Sequence, residues 1–315
     1  MSWSVCLKEP NGRVSQHLDY GNHSWERADT IDSWIKARIA SIASPSTSTS
    51  SLGDGGWRGF LAYNDEPPGM EPHSSGGHCK GVVLWNKSRV GWLIHSMPCW
   101  PASFDGVTIS DVHIKETIFA QSCIWLSLRR DQLPAVLSQI ALMQPHVYLS
   151  KGADDLWKPL KRAPPAAGRF KTLNVAPGVT HVAKHPKWGR DLYEDGLCLQ
   201  FGGSCIAETW LRPACAPTDH VVDVHHLRFP GNDTVFHESQ DHSKWCVSTA
   251  DSPKWTFVGD INRMTSQKHR GGGGVVLADP TLWKCMSELV VDTGHCPPTP
   301  AAAIASASAA SASTT

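Results

Sequence analysis

Two tripeptides of the form His-x-Lys carry the chemistry that this sequence is equipped for: His78-Cys79-Lys80 and His242-Ser243-Lys244. Imidazole serves as a nucleophile or as a proton carrier at neutral and mildly acidic pH. A lysine beside it fixes a cation where negative charge gathers on a phosphoryl group. On a strand, residues two apart share a face, so each triplet is expected to present its His and Lys together. Metal-free phosphodiester cleavage needs a nucleophile, a proton donor for the leaving alkoxide, charge stabilisation and a route back to the resting enzyme. One His-x-Lys from each half of the chain supplies all of these in a single composite site. One imidazole attacks phosphorus and the other protonates the leaving oxygen, then activates water. That division requires one neutral and one protonated imidazole, which favours acidic pH. Which of the two attacks stays open at this level.

His-x-Lys alone is a weak pattern, because His113-Ile114-Lys115 and His185-Pro186-Lys187 share it. Context separates the leading pair. VGWLIHSMP (90–98) follows the first and KWTFVGDIN (254–262) the second, each placing a Trp (Trp92, Trp255) shortly before a polar group, His95 or Asp260. His95 also fits a satisfied histidine on a buried strand. The run Gly271–Gly274 after Arg270 suits a phosphate-binding turn or a flexible loop, and lacks the Lys-Ser/Thr of a P-loop.

The elements that must hold these groups mix helices and strands. Thr30–Ser44 has apolar residues at helical spacing, with Thr30 as N-cap, and Gln132–Met143 reads as a helix with Pro134 in its first turn. Gly59–Tyr63, Gly81–Trp85 and Gly91–His95 read as buried strands. So do Leu197–Phe201, Val221–Leu227, Trp245–Thr249 and Trp255–Gly259, with Leu282–Val291 as a closing helix. Ser44–Gly56 is a Ser/Thr/Gly-rich surface loop, and the Ala/Ser/Thr tail 299–315 is expected to be disordered. The fold class is therefore α/β in the mixed α+β sense. Two sheet-bearing lobes are expected, about 1–150 and 151–298, and the matched motifs suggest that they descend from one duplicated unit.

Composition bounds the remaining possibilities. With 315 residues, 41% hydrophobic and 18% charged, the chain is long enough for a large core. A formal charge of zero gives no standing basic field, but 16 His would turn the surface positive below about pH 6. That suits a polyanion met in an acidic compartment. The 14 Trp suit core packing, with base stacking as a second use. Ten Cys without a CxxC pair argue against a zinc knuckle, and no apolar stretch approaches the roughly 18 residues of a spanning helix. Sequons at Asn22, Asn86 and Asn232 hint at export, whereas MSWSVCLKEP lacks a signal-peptide pattern.

In LAYNDEPP (61–68), GHCKGVVL (77–84), GWLIHSMP (91–98), DHSKWCV (241–247), VGDINR (258–263) and RGGGG (270–274) the chain resembles the deoxyribonuclease II family. SWSVCLKEP near the start and WGRDLYED (188–195) extend the similarity. The resemblance implies a phospholipase D-like fold with two pseudo-symmetric sheet-and-helix lobes forming one site. It implies an acid endonuclease that needs no metal or cofactor and cuts double-stranded DNA without sequence preference, leaving 3′-phosphate and 5′-hydroxyl ends. His78, Lys80, His242 and Lys244 fall on its catalytic motifs, and His95, Asp260, Asn262 and Arg270 are expected to bind substrate or support the site. It further implies a lysosome-like or extracellular setting and a Cys215–Cys296 disulfide in exported protein. Where animal members carry another disulfide, Phe257 and Leu277 stand here, and an apolar contact is expected in its place. A single chain carries both motifs, so a monomer suffices. The alternatives are a phospholipase D-like phosphodiesterase acting on lipid headgroups or RNA, and a pH-gated DNA-binding protein without catalysis.

Overall fold

A computed structural model describes residues 1–43, 59–162, 168–211, 218–232 and 234–294. The loop at Ser44–Gly56, the tail 299–315 and the Cys215–Cys296 pair lie outside the described residues. In chain order the first half comprises β1 (Ser2–Lys8), β2 (Ser15–Asp19), β3 (Glu26–Ala28), α1 (Ile31–Ala43), β4 (Gly59–Tyr63), β5 (Gly81–Trp85), β6 (Arg89–His95), β7 (Gln121–Arg129), α2 (Leu133–Met143) and β8 (Val147–Lys151). The second comprises α3 (Asp154–Arg162), β9 (Phe170–Ala176), β10 (Val179–Lys184), the one-turn α4 (Leu199–Phe201), β11 (Cys205–Glu208), β12 (Val221–Arg228), β13 (Val235–His237), β14 (Trp245–Ser248), β15 (Thr256–Gly259), β16 (Gly272–Leu277), α5 (Pro280–Ser287) and β17 (Val290–Gly294).

These strands build two sheets, and the fold is mixed α/β. The first sheet has eight strands in the order β3-β2-β1-β7-β6-β5-β4-β8; the second has nine, in the order β13-β12-β11-β14-β15-β16-β10-β9, with β17 on β12. The run β4-β5-β6-β7 has its counterpart in β11-β14-β15-β16, antiparallel throughout.

Strand alternation assigns each face. Val83, Trp85, Trp92, Ile94, Ile124 and Leu126 point into a core shared with Trp245, Val247, Val258, Val275 and Leu277 of the second sheet. The opposite face of the first sheet, through Val82, Leu84, Leu93 and Trp125, is covered by Ile35, Ile39 and Ile42 of α1. The opposite face of the second, through Cys246, Phe257 and Val276, is covered by Leu192, Tyr193, Leu197 and Cys198. The layers therefore run helix, sheet, sheet, helix, and Trp92 meets His181 across the middle at 4.4 Å between ring centroids. Both faces of the central strands are buried, which is why they read as unbroken apolar runs.

Some sequence expectations change. Leu197–Phe201 is helical: a π-helical turn, Tyr193–Cys198, runs into α4. Asp191 starts that turn by accepting the Tyr193 and Glu194 N–H groups at 2.8 and 2.9 Å. The closing helix is shorter and earlier than Leu282–Val291, because Asp279 caps it and Pro280 opens it, and Val290–Gly294 leaves as a strand. Phe257 and Leu277 do not touch in place of a disulfide. Phe257 pairs with Val276, so the two side chains enter different cores.

The glycine run is neither a phosphate turn nor a flexible loop: Gly272–Gly274 open β16 between β15 and β10. A Cβ at Gly273 would collide with the Val182 carbonyl, and one at Gly274 with that of Val258. Gly273→Ala is therefore expected to destabilise the fold by about 1–3 kcal/mol, the usual penalty of overpacking. Urea unfolding reads this directly, and an unchanged midpoint would show that the strands can spread.

Candidate active site

Each His-x-Lys triplet precedes its strand rather than lying within it: 78–80 leads into β5 and 242–244 into β14. The backbone there leaves its own sheet to bond the other. Gly77 bridges in parallel to Gly271, and Asp241 to Ala120. His78 N–H donates to Gly271 O at 2.7 Å, and His242 N–H to Ala120 O at 2.9 Å. The return bonds match, Gly271 N–H to Gly76 O at 3.0 Å and Ala120 N–H to Gln240 O at 2.7 Å. Both triplets are thus stitched to the start of the opposite sheet's β16 or β7, which brings the two halves' motifs to one seam.

At the first triplet Asp65 is the hub. Its buried carboxylate pairs with Lys80 Nζ, takes Arg270 Nη2 at 3.1 Å and lies 3.8 Å from His78 Nε2. Arg270 also donates to the Gly76 and Gly77 carbonyls at 3.1 and 2.9 Å, fixing the approach to His78. Burial alone would raise the Asp65 pKa, but His78, Lys80 and Arg270 outweigh it and hold the carboxyl well below the usual range. His78 Nδ1 lies 3.0 Å from the Asp260 carbonyl. That contact places the ring proton on Nδ1 and leaves the Nε2 lone pair available. Burial, opposed by Asp65 and reinforced by Lys80, Lys244 and Arg270, brings the His78 pKa down to about 3.

At the second triplet the surroundings differ. His242 stacks on Phe119 at 4.0 Å and 9°, meets Trp210 edge-on at 4.9 Å and 87°, and places Nδ1 3.7 Å from Glu116 Oε2. Glu116 is held by Gln121 Nε2 at 3.2 Å, and Gln121 by Ser96 Oγ at 2.5 Å. Burial lowers the His242 pKa, with Glu116 opposing and Lys244 adding. Lys244 is anchored by its N–H on Ser122 Oγ at 3.1 Å and by Nζ on the His242 carbonyl. Burial, then the Lys80 charge, lower its pKa to about 8. Lys80 shifts the other way, since Asp65 outweighs its burial.

The remaining expected residues stand behind this seam. His95 is fully buried, accepts the Met97 N–H on Nδ1 at 3.2 Å and meets Trp100 edge-on at 4.9 Å. Burial and the charges of Lys80 and Lys244 keep it neutral. Asp260 is also fully buried, accepts the Gly273 N–H at 2.9 Å and has its pKa raised by burial to about 8. Asn262 is buried, and among the described residues its Oδ1 has no partner. Backbone bonding corrects one pairing: Ser96 and Asp260, not His95 and Asp260, are counterparts. Their N–H groups donate to Ser122 O and Gly273 O, both at 3.0 Å, and each side chain accepts an N–H from that same residue at 2.9 Å. The decoys are uninvolved, since His113 and His185 merely cap short turns by accepting the Lys115 and Lys187 N–H groups. Asp65, Glu66 and His78 place donor atoms within 4.8 Å of one another, the one such metal-sized set among the described residues, but Lys80 and Arg270 already engage both Asp65 oxygens.

A family model for deoxyribonuclease II matches residues 1–296. The chain belongs to the deoxyribonuclease II family. It is 31% identical to deoxyribonuclease-2-alpha of Sus scrofa over 92% of this chain and 86% of the relative. It is 33% identical to that of Bos taurus over 73% and 68%, and 32% identical to plancitoxin-1 of Acanthaster planci over 75% and 71%. Family membership makes the chain a hydrolase of the deoxyribonuclease class. Among the described residues, no helix is long and apolar enough to cross a membrane.

For this deoxyribonuclease II family member, sequence reasoning missed four groups that touch the motifs: Asp65, Glu116, Phe119 and Trp210. Asp65 had a signal, lying in the NDEPP segment just past a buried strand. The other three are placed only by the pairing of the two sheets.

Proposed function

We propose that the protein is an acid endodeoxyribonuclease that hydrolyses double-stranded DNA without sequence preference, leaving 3′-phosphate and 5′-hydroxyl ends. The observation carrying this is the convergence of His78, Lys80, His242 and Lys244 at one seam with unlike surroundings. His78 Nε2 donates its lone pair to phosphorus, and the bond from phosphorus to O5′ breaks. His242 gives its proton to that departing oxygen. Water then attacks the phosphohistidine and passes a proton to His242, the P–N bond breaks, and the 3′-phosphate leaves. Lys80 and Lys244 face the non-bridging oxygens, where charge gathers. Asp65, Arg270, Asp260 and His95 hold these groups in place, and Asn262 is assigned to binding the substrate. The two lobes, about 1–150 and 151–298, are read as copies of one unit, supported by the shared strand order and matched bridges. One chain suffices for the site.

The pH window follows from the shifts. His78 is a free base above about 3, so the acid limb lies there. The His242 pKa is lowered from its usual value by burial, and loss of that proton as pH rises through the lowered value sets the basic limb. Lys244 keeps its charge until pH rises through about 8. Activity is thus confined to acid, which suits a lysosome-like or extracellular acidic compartment. The test is plasmid cleavage with excess chelator at about pH 5 and about pH 7.5. Cutting at the lower pH that survives chelator supports the proposal. Loss of cutting in chelator, binding without cleavage, or a preference for RNA or lipid headgroups would refute it. Lys244→Ala is expected to reduce kcat by about 10²–10³-fold, the scale of one preorganised charge contact. A loss below tenfold would remove Lys244 from the oxyanion role.

A further inference from the structure

The two sheets place their residues in equivalent backbone frames, so differences between the frames carry information. Tyr63 pairs with Gly81, and Glu208 with Trp245, each at the strand that follows its His-x-Lys. Two residues past those pairs, Asp65 and Trp210 occupy corresponding positions. Gly271 and Ala120 accept the His78 and His242 N–H groups, so the residues before them, Arg270 and Phe119, correspond as well. Around His78 the frame holds the Asp65–Arg270 ion pair, at 3.1 Å. Around His242 the same two places hold Trp210 and Phe119, which meet edge to face at 5.9 Å and 88°.

We propose that Phe119 and Trp210 are positioning residues that make His242 the proton carrier of the pair. Phe119 lies flat on the imidazole and Trp210 meets it edge to face, so the ring is clamped with Nδ1 toward Glu116. A π face also favours the charged form of a stacked cation. The ionisable groups facing His242 are Glu116, which favours its charge, and Lys244 and Lys80, which oppose it. The aromatic face adds to the side of Glu116. At His78 the counter-ion is instead committed to Lys80 and Arg270, and the imidazole stays neutral. The unlike roles thus come from an ion pair in one half and an aromatic pair in the other. This deepens the phosphodiesterase reading and rests on it.

The experiment is a pH profile of kcat and KM for Phe119→Leu and Phe119→Tyr, with an NMR titration of the His242 imidazole in each. Leu keeps apolar bulk without a π face, and Tyr keeps the face. In Phe119→Leu the basic limb of kcat and the His242 titration should both move to lower pH by about 0.5–1 unit, with KM little changed. Phe119→Tyr should restore both. An unmoved His242 titration in Phe119→Leu, or the same movement in Phe119→Tyr, would overturn the inference. The NMR readout needs no turnover, so a wild-type protein that fails to cut DNA refutes the phosphodiesterase reading separately.

Discussion

His78→Ala should reduce DNA cleavage to background, by about 10⁴-fold or more, because it removes the imidazole whose Nε2 lone pair stays available at acid pH. Asp65 is committed to Lys80 and Arg270, and Glu116 faces His242 Nδ1 at 3.7 Å. His242→Ala should be almost as damaging on DNA, where the 5′-alkoxide cannot leave without a proton. The two variants part on an activated substrate. Thymidine 3′-p-nitrophenyl phosphate releases a phenolate that needs no general acid, so His242→Ala should recover release of the phenolate while His78→Ala stays inactive. Equal rescue of both variants would mean that the roles are shared or reversed.

Asp65→Ala should be the most destabilising substitution at the site. It leaves Lys80, only 1% exposed, and Arg270 without their carboxylate in a buried setting. Breaking a buried pair by removing one partner costs about 3–5 kcal/mol, since the surviving charge has lost its solvent and its counter-ion. Urea unfolding of wild type and variant measures it, and a change below about 1 kcal/mol would show that water reaches Lys80. The sign with pH follows from the depressed Asp65 pKa. The contribution is complete above the unfolded carboxyl value of about 3.9, and is lost as pH falls through the lower folded one. The site therefore keeps this anchor throughout the mildly acidic range in which it is proposed to work.

How much of this was legible in the sequence depends on the kind of signal. Strands β4, β5 and β6 stood out as apolar runs because both of their faces are covered. β1 did not, because its signal is alternation, with Trp3, Val5 and Leu7 turned to the shared core and Ser4 and Cys6 away from it. Leu197–Phe201 looked like a strand from its apolar residues, yet the Asp191 cap and the spacing of Leu192, Tyr193, Leu197 and Cys198 are helical. The His-x-Lys pairs were found because the motif occurs twice in similar context. Their partners were not, since Phe119, Trp210 and Glu116 are unremarkable residue types until the pairing of two sheets sets them around one imidazole. Gly271–Gly274 misled because glycine composition does not distinguish a turn that binds anions from a strand that neighbours approach closely.

The proposed mechanism places a covalent phosphohistidine on His78, with His242 as its proton carrier. The direct measurement is an alkaline quench of enzyme mixed with DNA carrying ³²P at the scissile phosphate, followed by peptide mapping under alkaline conditions. Label on the peptide containing His78 is the predicted result, absent in His78→Ala. Label on the peptide containing His242, or a single-turnover reaction with no labelled protein at any time, would contradict it.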